Sequence, residues 1–210
     1  MKTTTAIKKI YLLSFLFFSL ISGSDAAEKN NSAKTGEPAT KTKRDPVEKA
    51  AVQKWNVDAA QAQIKFSVKG PFGTVDGSLG DLKSTILFDK DNLAASSISA
   101  STESKSISTG IKLRNNDLQK EKYLSSDKYP LLSFQSDKIQ KSGTGYIAIG
   151  NLTIKGVSKK VEIPFSFTEK GNTGVFKGSF SIQRQDYGIG KEGGSIGNTV
   201  SIDLEVPVTK

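Results

Sequence analysis

A chain of 210 residues with no Cys, no His and a formal charge of +9 is long enough to bury a core. It has no disulfide, no thiolate or imidazole for a transition metal, no thiol nucleophile and no side chain that titrates unperturbed near neutral pH. Binding is therefore a better reading than chemistry, and the charge does not point to nucleic acid: residues 1–54 hold ten Lys/Arg against five Asp/Glu, leaving 20 against 16 scattered over the remainder.

In chain order, residues 1–26 read as a secretory signal. Lys2, Lys8 and Lys9 precede the twelve-residue apolar stretch Ile10–Ile21, and Ser24-Asp25-Ala26 offers small residues for cleavage after Ala26. Twelve helical residues reach about 18 Å, well short of a roughly 30 Å hydrocarbon core. The expected location is the periplasm or the medium. Residues 27–54 are Lys, Glu, Thr, Asn and Ala with Pro38 and Pro46, the composition of a solvated basic tether suited to transient contact with a membrane surface. The folded unit then begins near Trp55 and extends over residues 55–210.

From Ala62 onward apolar residues alternate with polar ones. Ile64, Phe66 and Val68 do so, as do Val161, Ile163, Phe165 and Phe167, and Val200, Ile202, Leu204, Val206 and Val208. Each run is a strand with one buried face. Turn-forming stretches such as Gly70-Pro71-Phe72-Gly73 and Lys155-Gly156 separate them, giving eight strands over roughly 62–69, 73–88, 96–106, 131–139, 145–155, 160–169, 174–184 and 198–208. Short links make neighbours antiparallel. One stretch breaks the period: 111–124, IKLRNNDLQKEKYL, predicts a short helix capped by Asn116 or Asp117, with Pro130 ending the segment. The fold class is all-β, an eight-stranded antiparallel barrel with a helical lid, because closure removes sheet edges. Eight strands enclose a space that side chains fill or one small ligand occupies.

Two chance motifs carry no chemistry. Gly188 to Gly193 matches GxGxxG, but a strand and not a helix follows, so no helix N-terminus would receive a pyrophosphate. Ser125 to Lys128 has the SxxK spacing without its companion motifs. The 188–198 stretch, GIGKEGGSIGN, reads as the most flexible loop.

The segments also have a familiar order. Trp55-Asn56-Val57-Asp58, IKFSVK, SISTGIKLRNNDL, YLSSDKYPLLSFQS, GNLTIKGVSKKVEIP, IQRQDYGIG and NTVSIDLEV together resemble the YceI family over residues 55–210. The resemblance implies a secreted, lipocalin-like barrel whose apolar pore holds an isoprenoid or fatty-acid-like lipid without transforming it, and it is compatible with a homodimer. It departs at Gly70 and Asp117, where many members carry His, so a head group needs another partner here. Arg114, on the helical segment, is the candidate, since a guanidinium pairs two oxygens of a phosphate or carboxylate. Phe66, Phe88, Leu113, Leu118, Phe134, Phe180, Ile182 and Tyr187 are the candidate lining. Arg184 is expected to pair with Asp186 or to bond backbone at the rim. No cofactor, metal or catalytic residue is expected, and the alternative to a carrier is a filled barrel acting as an interaction scaffold. The exported protein should begin at Ala27; an intact mass that retains residues 1–26 would exclude the signal reading.

Overall fold

The computed structural model describes residues 52–210; the signal and all but the last three residues of the tether lie outside them. The alternating runs form β1 (Lys54–Val57), β2 (Gln63–Gly70), β3 (Gly73–Leu79), β4 (Lys83–Leu87), β5 (Ser97–Glu103), β6 (Leu131–Ser142), β7 (Gly145–Ile154), β8 (Val157–Lys170), β9 (Thr173–Gln183) and β10 (Thr199–Thr209). All pairings are antiparallel, in the order β1-β4-β5-β6-β7-β8-β9-β10-β2-β3, and β1 also pairs with β10. β1 and β2 lie end to end along β10, and β4 and β3 end to end along them. The ten segments are thus the eight staves of a closed antiparallel barrel.

Three local expectations change. The 73–88 strand is broken at Gly80–Leu82, where Asp81 takes φ +55° and the Gly80 carbonyl accepts the Thr102 and Ser106 hydroxyls instead of a ladder bond. Trp55 lies in a strand of its own, β1. That strand is cut from β2 by a turn in which Asp58 Oδ1 accepts the Ala60 and Gln61 amides. The helix, α1 (Lys112–Gln119), starts earlier than a cap at Asn116 or Asp117 requires. Asn115 Oδ1 accepts the Thr109 amide and hydroxyl, closing the turn before α1 from inside the helix, and Asp117 pairs with Lys120 at 2.6 Å.

The two ends of the barrel differ. At one end Phe88 meets the rings of Tyr146, Phe165, Phe167 and Phe176 edge-on at 5.0–5.7 Å between centroids. Trp55 packs on Phe167 and donates its indole N–H to the Phe88 carbonyl at 3.0 Å. The chain end is drawn onto this plug: Lys210 pairs with Glu169 at 2.6 Å and lies over Trp55. That hydrogen bond holds the Glu169 carboxyl below the usual carboxylate range. At the other end stand the β2–β3 turn, α1 and the 188–198 loop. Midway along the barrel Pro164 has no N–H to donate, and the β8–β9 ladder stops at Phe165 and Gly178, short of this open end. A second apolar cluster, of Ile107, Leu124, Ile154, Ile182 and Tyr187, occupies this end.

One glycine is fixed by contact. Gly150 faces the bulge between Ser136 and Lys138, and a Cβ there would overlap the Gln135 carbonyl and come within 2.6 Å of the Ser136 Cα. Backbone cannot move aside as a side chain can. Gly150→Ala should therefore lose about 1–3 kcal/mol, read as a Tm drop on the order of 5 °C. Gly80→Ala, whose Cβ would meet only the Ser106 Cβ at 3.7 Å, should stay within about 0.5 kcal/mol of the parent. Equal losses would show that the close approach is not the constraint.

Candidate binding cavity

The barrel interior holds a cavity of about 740 Å³. Its origin is visible in the inward positions of the strands. Apolar side chains of β2, β9 and β10 point in, as alternation dictates, but at mid-depth Ser84, Ala100, Ala148 and Gly178 take inward places and line the cavity. Three of the four have a large neighbour across the ladder: Ala100 faces Phe134, Ala148 faces Ile163, and Gly178 lies between Phe165 and Leu204, while Ser84 faces Ala100 and so pairs small with small. Large residues here would make the barrel solid. A filled scaffold would have no such space.

Seven of the nine expected site residues lie on this wall: Phe66, Leu113, Arg114, Leu118, Phe134, Phe180 and Ile182. Phe66 lies over Gly77, whose missing side chain leaves room for the ring. Phe88 and Tyr187 do not line it. Phe88, 1% exposed, is enclosed by the aromatic plug, and Tyr187, 2% exposed, belongs to the cluster beside the 188–198 loop. Burial and the neighbouring Asp186 carboxylate push the Tyr187 phenol above its ordinary range.

Charge on the wall is confined to the open end, where Arg114, Asp117 and Arg184 stand. Arg114 is fixed from below: Nε donates to Thr109 Oγ1 and Nη2 to the Thr109 carbonyl, both at 2.8 Å. Among the described residues its Nη1 has no hydrogen-bond partner. Arg184 is buried and bonds backbone, with no ion pair to Asp186 among the described residues. Nε donates to the Gly197 carbonyl at 2.9 Å, Nη1 to Ile189 at 2.6 Å, and Nη2 to Ile196 at 2.8 Å and Lys191 at 3.3 Å. The loop that reads as flexible is thus gathered around one guanidinium. Gly190, at φ +73°, lets it approach, since a Cβ there would lie 2.6 Å from Nη1. Both arginines of the described residues reach the cavity wall, whereas every ion pair among those residues uses a lysine. Among the described residues no group of three His, Cys, Asp or Glu is placed to hold a metal ion.

Residues 55–208 match the family described as YceI-like domain. The chain belongs to the YceI-like family. A UPF0312 protein of Yersinia pestis is 30% identical over 164 residues, covering 75% of this chain and 85% of that one. Among solved structures, Burkholderia cenocepacia BcnA superposes with a TM-score of 0.70 at 24% identity, over 73% of this chain and all of that one. A domain from Saccharophagus degradans, described as polyisoprenoid binding and implicated in plant cell wall breakdown, gives 0.57 at 14% identity, over 75% and 98% of the two chains. At these identities the two structures speak for the shared barrel, and the YceI-like family assignment rests on the domain match.

Several wall residues escape a reading that looks for aromatics. The small belt is legible only if inward positions are scanned for what is too small to fill them, and Arg184 only if its neighbours along the following loop are known to fold back. A titration reads the burial of Tyr187 directly. Its phenol is protonated in the fold at pH values where the unfolded chain has begun to ionise, so its contribution is complete below pH about 10 and is lost as pH rises through the raised value. Alkaline unfolding of Tyr187→Phe should show a flatter loss of stability than the parent; identical slopes would mean that the phenol is not buried.

Proposed function

We propose that this YceI-like barrel is a non-enzymatic carrier for a long-chain amphiphile, a polyisoprenoid or fatty-acid-like lipid with an anionic head, working in the periplasm or the medium. The observation that carries the proposal is the combination of an apolar cavity of about 740 Å³ with guanidinium groups at its open end only. The polyisoprenoid-binding description of the Saccharophagus degradans neighbour supports the ligand class.

Chain burial supplies the affinity. At roughly 30 Å³ per chain atom, about the share of a water molecule, the cavity takes on the order of 25 atoms. An efficiency of about 0.3 kcal/mol per atom then gives on the order of 8 kcal/mol, a dissociation constant near micromolar. Arg114 adds direction. Its fixed guanidinium, with Nη1 unengaged, meets a phosphate or carboxylate where the head of a tail-first ligand lies.

Native mass spectrometry of protein purified without detergent, with organic extraction of whatever accompanies it, should find one amphiphile per barrel. Ala100→Phe places a ring in the cavity and should abolish uptake of a polyprenyl phosphate while the circular dichroism of the barrel persists. Arg114→Ala should weaken a polyprenyl phosphate about tenfold more than the neutral alcohol. A ligand-free mass that also refuses added polyprenyl phosphates and fatty acids would overturn the carrier, and equal losses for phosphate and alcohol would overturn the anionic head.

A further inference from the structure

The open end of the cavity is also an apolar surface. Among the described residues four large apolar side chains are exposed, Phe72, Ile111, Leu113 and Leu131, and the first three stand at the cavity rim. Phe72 has its full reference area in solvent, at 101%. It sits at the tip of the β2–β3 turn, where Gly70 pairs with Gly73 and leaves only Pro71 and Phe72 to turn the chain. A single exposed apolar residue is ordinary, but three gathered around the mouth of an apolar cavity form a continuous surface from the interior to the outside. A ring placed there does nothing for the fold.

Charge surrounds this rim. Residues 69–74, 111–122 and 188–197, which build the open end, carry six basic side chains against three acidic ones, while residues 55–210 carry 20 against 16. Three of the four surplus positive charges of the barrel domain therefore stand at its mouth. A second copy seated on the same rim would bring like charge against like; an anionic lipid surface is complementary. Resting on the carrier reading, we propose that the rim docks the cavity mouth onto an anionic phospholipid bilayer. Phe72, Ile111 and Leu113 enter the headgroup layer, and Lys112, between the last two, keeps its ammonium among the phosphates. The lipid then passes from acyl region to cavity along an unbroken apolar path.

Trp55 is the chain's one tryptophan and is buried, at 3% exposure, so Phe72→Trp reports from the rim against a fixed background. Its emission should shift to the blue on vesicles of phosphatidylcholine with phosphatidylglycerol, far less on phosphatidylcholine alone, and be quenched by brominated acyl chains. Thr144→Trp, exposed in the β6–β7 turn at the plugged end, should do neither. An emission unmoved by vesicles overturns the docking, and one that shifts with protein concentration in their absence assigns the rim to a second copy instead. Transfer separates this proposal from the carrier on which it rests. The Phe72→Ser, Ile111→Ser double variant should take a polyprenyl phosphate from vesicles at least about tenfold more slowly than the parent, and from a cyclodextrin complex at the parent's rate. A double variant as fast as the parent from vesicles overturns the docking and leaves the carrier standing. A parent that takes the lipid from neither source overturns the carrier.

Discussion

An eight-stranded barrel is wide enough for its own side chains to fill it, so whether it is solid or hollow depends on the size of a few inward residues. Here that constraint falls on Ser84, Ala100, Ala148 and Gly178. Interiors pack to the density of organic crystals, and a space of about 740 Å³ left by the protein's own side chains forgoes contacts within the chain that the rest of the fold must offset. The offset is concentrated at one end. Phe88 and the rings around it, together with Trp55, supply a well-packed core in the half of the barrel where β1 completes the ring with β4 and β10. Close-packed core and cavity are divided along the barrel axis, which is why one protein can have both.

The same division governs charge. A guanidinium buried without a carboxylate is costly unless each of its nitrogens finds an acceptor. Arg184 is met by four carbonyls of the 188–197 segment, so the residue that would destabilise an apolar wall instead folds the loop that borders it. Arg114 differs in having one nitrogen unengaged, and it is half-buried. Lysines, with flexible stems and strongly hydrated heads, make the exposed ion pairs of the barrel and stay off the cavity wall. The planar cations are where hydrogen-bond geometry matters, and the point charges are where only solvation does.

Alternation made the barrel legible before any coordinates. Ile64, Phe66 and Val68, or Val200 to Val208, fix both the strand and the face that turns inward, and the short links fix antiparallel order. The breaks at Asp58–Ala62 and Gly80–Leu82 were not legible, because they depend on partners distant in sequence: the Gly80 carbonyl is diverted to Thr102 and Ser106, and β1 exists because β4 and β10 receive it. Helix capping misled for a related reason, since Asn115 serves Thr109 from within α1 and not from a position before it. For the cavity, Phe66, Phe134, Phe180 and Ile182 followed from strand phase, yet phase alone does not give depth. Phe88 has the right phase and the wrong depth; it lies in the plug.

On the carrier proposal, the orientation of a bound amphiphile would follow from the same asymmetry before any contact to its head is considered. The plugged end offers aromatic rings and no charged side chain on the cavity wall, so a phosphate or carboxylate driven there would lose its hydration for nothing in return. The open end offers water and guanidinium groups. Moving an ion into the apolar interior costs far more than any difference in chain packing between the two directions. For the proposed carrier, the wall itself would impose a tail-first ligand, and Arg114 would refine a direction already chosen. The exposed apolar rim fits this geometry, since a chain that must enter tail first has to leave its surroundings tail first, and Phe72, Ile111 and Leu113 extend the apolar wall to the point where it would do so.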